Sequence, residues 1–91
     1  MTGPTTGTAV RMRTLLGALN PDLIEIADDS AKHAGHEGAK SGGGHFRLTI
    51  VSASFSGQAT LARHRMIYAA LAPLMQREIH ALAIIARAPE E

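Results

Sequence analysis

Apolar residues recur at Met12, Leu15, Leu16 and Leu19, the three-to-four spacing of one helical face, while Arg11 and Arg13 point elsewhere. The pattern predicts a helix over Thr8 to Asn20. Asn20-Pro21 ends it, because the residue before proline is pushed out of the helical region and proline has no amide hydrogen to donate. Leu23, Ile24 and Ile26, interrupted by Glu25, predict a strand running to Asp28-Asp29. From His45 to Ala53 the alternation is strict, with Phe46, Leu48 and Ile50 on one face and Arg47 and Thr49 on the other, the signature of a half-exposed strand. Phe55-Ser56-Gly57 predicts a turn. Ala59 to Ala72 reads as a second helix with Leu61, His64, Tyr68 and Leu71 on one stripe and Ile67 beside it. Pro73 suits the first turn of a short third helix buried through Leu74, Met75 and Ile79, and His80 to Ala88 closes the chain as an apolar strand. The order α-β-β-α-α-β predicts an α+β fold in which a three-stranded sheet carries helices on one face.

Composition narrows this picture. A chain of 91 residues supports one modest core, and with only three aromatic residues that core must be aliphatic. Residues 1–9, rich in threonine and glycine and without a basic-then-apolar leader, read as a flexible tail preceding a domain over 10–91. The absence of cysteine excludes disulfides, thiol catalysis and thiolate metal ligands from the chain itself, and leaves the cytoplasm as the expected compartment. No apolar stretch approaches the roughly 20 residues needed to cross a bilayer, so no membrane partner is expected. A net charge of +1 gives no global attraction to nucleic acid, so any such binding must come from a local patch. The isolated chain is expected to be a monomer, with a homodimer left open.

Candidate chemistry gathers on histidine and arginine. His80 lies where the third helix gives way to the last strand, and a polar ring at the mouth of a buried strand needs a partner or a ligand, since an unpaired buried nitrogen costs roughly 1 to 3 kcal/mol. His33 and His36 stand three apart in the glycine-rich segment from Ser30 to Gly44, too long a connection for a small domain unless functional or disordered. Two such ligands do not complete a zinc centre, which would have to recruit His45, His80 or a carboxylate. Arg63 and Arg65 flank His64 on the second helix, and with Arg47 and Lys40 they form the available patch for phosphates. The competing reading packs His64 against the sheet and pairs Arg63 and Arg65 with Asp28, Asp29 or Glu78. Asp28 and Asp29 are strand neighbours pointing to opposite faces and cannot converge on one bond, and no serine lies in a G-x-S-x-G context, so no catalytic activity is expected.

Asp28-Asp29-Ser30, His33-Ala34-Gly35-His36, His45-Phe46-Arg47-Leu48-Thr49-Ile50-Val51-Ser52, Phe55-x-Gly57, Arg63-His64-Arg65-Met66 and Ile79-His80-Ala81-Leu82 together resemble the BolA family over nearly the whole domain. The chain departs from many relatives at Gly44, which ends a glycine run where they carry threonine. The resemblance implies a relative of the type II KH fold and two competing functions. One is a non-enzymatic adaptor that pairs with a monothiol glutaredoxin and shares a [2Fe-2S] cluster with it and glutathione, in iron-sulfur trafficking or iron and stress regulation. The other is a DNA-binding transcriptional regulator of morphology and stress response acting through the KH-like surface. Carried over, the resemblance implies His80 as the C-terminal metal ligand and His33 as the variable one, with His36 able to substitute. The nucleic-acid alternative would use Arg47, Arg63 and Arg65, although the GXXG loop with which a KH domain grips its strand is missing.

Overall fold

The computed structural model describes residues 7–29, 44–75 and 77–91. Helix α1 spans Gly7–Leu16 and tightens into a 3-10 turn over Gly17–Leu19. It starts inside the segment expected to be a tail, and Ala9 is already buried. Met12 and Leu16 are fully buried on its inner face, with Leu15 and Leu19 packed beside them. Asn20 takes a left-handed conformation (φ 50°), which asparagine tolerates better than most residues, and donates its amide to the Gly17 carbonyl. The helix therefore ends where the sequence expected.

Strands β1 (Pro21–Asp28), β2 (Gly44–Ser52) and β3 (Ile79–Arg87) form one sheet in that order, with β1 antiparallel and β3 parallel to the central β2. A parallel pair needs a long crossover, and the connection from β2 to β3 supplies it through α2 (Thr60–Ala70). Phe46, Leu48 and Ile50 of β2 point into the core with Met12 and Leu16 of α1, Ile67 of α2 and Leu71 just beyond it. Both helices thus cover one face of the sheet, as the α+β reading required. On the opposite face Leu23 and Ile85 remain 42% and 50% exposed, so β3, expected from its composition to be a buried strand, is half open.

Two elements differ from expectation. The buried side of α2 runs through Ile67 and Leu71, whereas Leu61 and Tyr68 are 62% and 40% exposed. Apolar residues lie nearly all round this helix, so periodicity alone leaves its rotation open; Ile67 and Leu71, one turn apart, fix it and leave the tyrosine hydroxyl near solvent. The short third helix is absent among the described residues between α2 and β3. Hydrogen-bonded turns replace it, with the Leu74 amide bonded to the Leu71 carbonyl at 2.8 Å and the Leu74 carbonyl accepting both Glu78 and Ile79 amides at 2.9 and 3.1 Å. So short a segment gains little from helix propagation, and burying Leu74 and Ile79 dominates its conformation.

The end of β2 is tied back to the end of α1. Ser52, fully buried, donates its hydroxyl to the Leu19 carbonyl and accepts the Ser54 amide, while the Ser54 hydroxyl donates to the same carbonyl at 3.0 Å. This starts the 3-10 turn Ala53–Phe55, which buries Phe55 completely. Gly57 then adopts φ +77°, a region only glycine enters without steric cost, and turns the chain toward α2.

The last residues are locked by Arg63. Its guanidinium makes two 2.6 Å bonds to the Glu91 carboxylate and donates to the carbonyls of Ala86 (3.1 Å) and Gln58 (2.8 Å). The Arg63 hydrogen bonds and the Ala88 amide hold the Glu91 carboxyl down to about 2, from an ordinary value of 4.5. A carboxylate with a lowered folded-state pKa stabilises the fold above its unfolded value and loses that contribution as pH falls through the folded one. Between about pH 4.5 and 2 the melting temperature of the protein is therefore expected to fall more steeply than that of Glu91→Gln; parallel melting curves across that window would contradict the lock.

Candidate functional site

The start of β2 and the start of β3 lie side by side in the parallel register, and each begins with a histidine near its mouth. Gly44 is opposite Ile79 and His45 is opposite Ala81, so His80 is an extra residue on β3. The bulge breaks the alternation: Ile79 and Leu82 both point inward although three positions apart, and both His80 and Ala81 are exposed. Bulges commonly re-aim a side chain in this way. The result is a pair of imidazoles, His45 and His80, with ring centroids 5.2 Å apart and planes inclined at 51°. The Nε2 atom of His45 is buried, whereas His80 stands at the surface.

Glu78 fixes this corner. Its carbonyl accepts the Gly44 amide at 2.9 Å, one residue before His45, and its carboxylate receives the Thr8 hydroxyl at 2.7 Å and the Arg11 guanidinium. The Arg11 and Thr8 hydrogen bonds hold the Glu78 carboxyl below the usual carboxylate range. On the other side of His45, its carbonyl accepts the Asp29 amide at 2.7 Å. Both imidazoles are therefore carried on strand ends with backbone and ion-pair anchors, rather than on free loops.

The spacing of the rings has a chemical meaning. An imidazole nitrogen sits about 2.0 to 2.1 Å from a bound first-row ion, and the ring centre lies about 1.1 Å behind that nitrogen. Two rings sharing one tetrahedral ion then have centroids about 5 Å apart, which is the separation of His45 and His80. Among the described residues no three histidine or acidic side chains converge to hold a metal. The same separation is ordinary for two packed rings, so the spacing is compatible with two positions of a tetrahedral centre, whose others must come from elsewhere.

The remaining sequence candidates fall in different places. His33 and His36, and Lys40, lie outside the described residues. His64 is half-buried on α2. Arg47 is on the open face of the sheet and forks onto the Asp29 carboxylate at 2.6 and 3.4 Å, a bond that raises its pKa. Arg63 has only 11% of its side chain exposed and directs its donors inward to Glu91, Ala86 and Gln58. Its partner is neither Asp28, Asp29 nor Glu78, because the fold brings the distant Glu91 beside it. Arg65 is exposed on α2. The three arginines are thus not gathered into one patch of equally available charges.

His45 was only a zinc alternative in the sequence reading. The residue signal was present, a histidine opening an alternating strand, but its meaning depends on the register of a parallel strand 34 positions away and on a one-residue bulge. Neither is encoded locally.

Comparison with known proteins returns a consistent result. A family model described as BolA-like protein matches residues 15–91. BolA-like protein 1 of Bos taurus is 42% identical over 74 residues, covering 81% of this chain and 53% of the relative, so the chain spans about half that protein's length. The DNA-binding transcriptional regulator BolA of Escherichia coli is 40% identical over 70 residues, covering 77% of this chain and 64% of the relative. The solved BolA domain of SufE1 from Arabidopsis thaliana superposes with a TM-score of 0.79 at 38% identity, covering 93% of this chain and 95% of that one.

Proposed function

The chain belongs to the BolA-like family, and on that premise we propose that it is a non-enzymatic iron-sulfur adaptor that co-ligates a [2Fe-2S] cluster with a monothiol glutaredoxin and glutathione. The observation that supports this reading most is the His45–His80 pair, whose separation suits two ligands of one tetrahedral ion. A [2Fe-2S] cluster takes four ligands beyond its sulfides, and two imidazoles on one of its irons are an established arrangement that raises its potential. This chain brings no thiolate, so the complementary sulfur ligands come from the glutaredoxin cysteine and glutathione. When bound, the cluster supplies one-electron chemistry and transferable iron and sulfide.

The chain's own residues prepare half of that centre. The bulge presents His80 at the surface, and the Glu78 anchors limit the motion of both strand ends. Holding ligands in place before binding reduces the ordering cost of the complex. His80 is the principal ligand in this proposal, and the second imidazole is His45 or one of His33 and His36.

The name of the Escherichia coli relative keeps a second reading, DNA binding through Arg47, Arg63 and Arg65. The engagement of Arg47 with Asp29 and of Arg63 with Glu91 weighs against it, since phosphate contacts would have to compete with existing ion pairs. Reconstitution separates the two. The protein mixed anaerobically with a monothiol glutaredoxin, glutathione, ferrous iron and sulfide is expected to give visible absorption and circular dichroism distinct from those of glutaredoxin alone. A spectrum identical to that of glutaredoxin alone, together with DNA binding that weakens steeply with added salt, would replace the adaptor reading with the regulator.

A further inference from the structure

The two edges of the sheet differ in how they are guarded. β1 carries Pro21, Asp22, Glu25 and Asp28, and its Ile24 carbonyl accepts the Arg13 guanidinium at 3.2 Å. Proline and charge are common means of keeping an edge strand from pairing with another chain. β3, at the other edge, runs from His80 to Ala86 without a proline or an acidic or basic side chain apart from the histidine itself. We propose that the outer edge of β3 pairs with an extended, uncharged segment of a partner protein, added as a fourth strand along Leu82 and Ile84.

The register fixes which backbone groups face outward. The His45 carbonyl accepts the Asp29 amide at the end of β1, while the Gly44 amide donates to the Glu78 carbonyl beside β3. Odd-numbered residues of β2 therefore bond toward β1 and even-numbered ones toward β3. In a parallel pair such a residue bonds to the two neighbours of the residue opposite it. Phe46, Leu48 and Ile50 stand opposite Leu82, Ile84 and Ala86, so these three turn their amides and carbonyls away from β2. Two contacts agree. Arg63 of α2 reaches the Ala86 carbonyl at 3.1 Å, and the Leu74 carbonyl takes the Ile79 amide at 3.1 Å. They close the two ends of the edge. Between them the amides and carbonyls of Leu82 and Ile84 have no partner among the described residues.

Unpaired donors and acceptors in strand geometry select an extended backbone as their ligand, and the side chains beside them set its character. Ala83 is small and Ile85 is half exposed on the open face, so apolar side chains of the added strand gain contact there. The bulge at His80 bounds the window on one side and the Arg63 cap on the other, which suits a short segment. A second β3 suits it less: paired antiparallel about Ala83, the capped Ala86 of each copy falls opposite the bulged His80 of the other. None of this depends on a metal or a cluster.

Amide hydrogen exchange read by nuclear magnetic resonance tests the edge and its ligand. In the chain alone Leu82 and Ile84 are expected to exchange much faster than Ala83 and Ile85, whose amides bond to β2; equal protection would show the edge already covered and overturn the proposal. The probe is a short capped peptide of alternating valine and threonine. At about ten times its Kd it is expected to slow exchange at Leu82 and Ile84 about tenfold, and the same peptide with every amide N-methylated is expected to leave them unprotected. Ile85→Lys places a charge at a half-exposed position and is expected to abolish the protection with an unchanged far-ultraviolet circular dichroism spectrum. Ala83→Lys, also at an exposed position, carries the conclusion if Ile85→Lys does not fold. Absence of protection up to the solubility limit of the peptide would overturn the proposal. So would protection that grows with protein concentration alone and doubles the mass, which would assign the edge to a second copy.

Discussion

Replacing His80 with alanine is expected to abolish the spectrum of the glutaredoxin-shared cluster while leaving the fold and the apo-complex intact. His80 is exposed and its ring contact is with His45, so truncation removes a ligand without opening a cavity in the core. Loss of a direct ligand is expected to reduce cluster occupancy by more than the roughly 10- to 100-fold that follows loss of a supporting group behind a ligand. His45→Ala provides the internal comparison. If His45 is the second imidazole, its variant reproduces the loss; if His33 or His36 serves instead, His33→Ala or His36→Ala does so and His45→Ala retains the spectrum. Retention of the full mixed-cluster signal by His80→Ala would remove this corner from the adaptor function altogether. Visible circular dichroism is the measurement of choice, because it reports the asymmetry of the ligand set and not only the amount of iron.

The legibility of this fold followed the range of the interactions that set it. Local signals succeeded. The Asn20-Pro21 stop, the alternation of Phe46, Leu48 and Ile50, and the helical spacing of Met12 and Leu16 are all decided within a few residues of backbone geometry, and each reappears in the structure. The rotation of α2 was not legible, because Leu61, Ile67, Tyr68 and Leu71 offer more than one apolar face and only packing against α1 and β3 chooses between them. The third helix dissolved into turns for a similar reason, with the burial of Leu74 and Ile79 outweighing a weak local preference.

The candidate site shows the same division. His80 was conspicuous as a polar residue at the head of an apolar run. His45 acquired meaning only through the parallel β2–β3 register, and Glu78 only through its contacts with α1 and Gly44. Arg63 was read as a candidate for phosphate or a nearby acid, but Glu91, 28 residues away, meets it after the chain has returned along β3. Charge in a sequence marks a need for a partner; folding decides which partner it is.

That distinction between local pattern and packing gives the largest expected stability effect. Phe55→Ala removes one of the two phenylalanines in a core whose other side chains are aliphatic, at a position with no exposure. Truncating a buried phenylalanine costs about 3 to 5 kcal/mol, a large part of the roughly 5 to 15 kcal/mol that stabilises a small domain. At about 4 to 8 °C per kcal/mol for a domain of this size, the melting temperature is expected to fall by roughly 12 to 40 °C. Leu61→Ala is the control. The strict helical stripe makes Leu61 a core residue, whereas its exposure predicts a change within about 0.5 kcal/mol. Denaturant unfolding of the two variants separates the readings, since comparable losses would restore the stripe and contradict the rotation of α2. β2 runs from His45 toward Ser52, so Phe55 anchors the end remote from the imidazole pair. Below its lowered melting point Phe55→Ala is therefore expected to retain the mixed-cluster spectrum, which sets the stability of the sheet apart from the chemistry at its mouth.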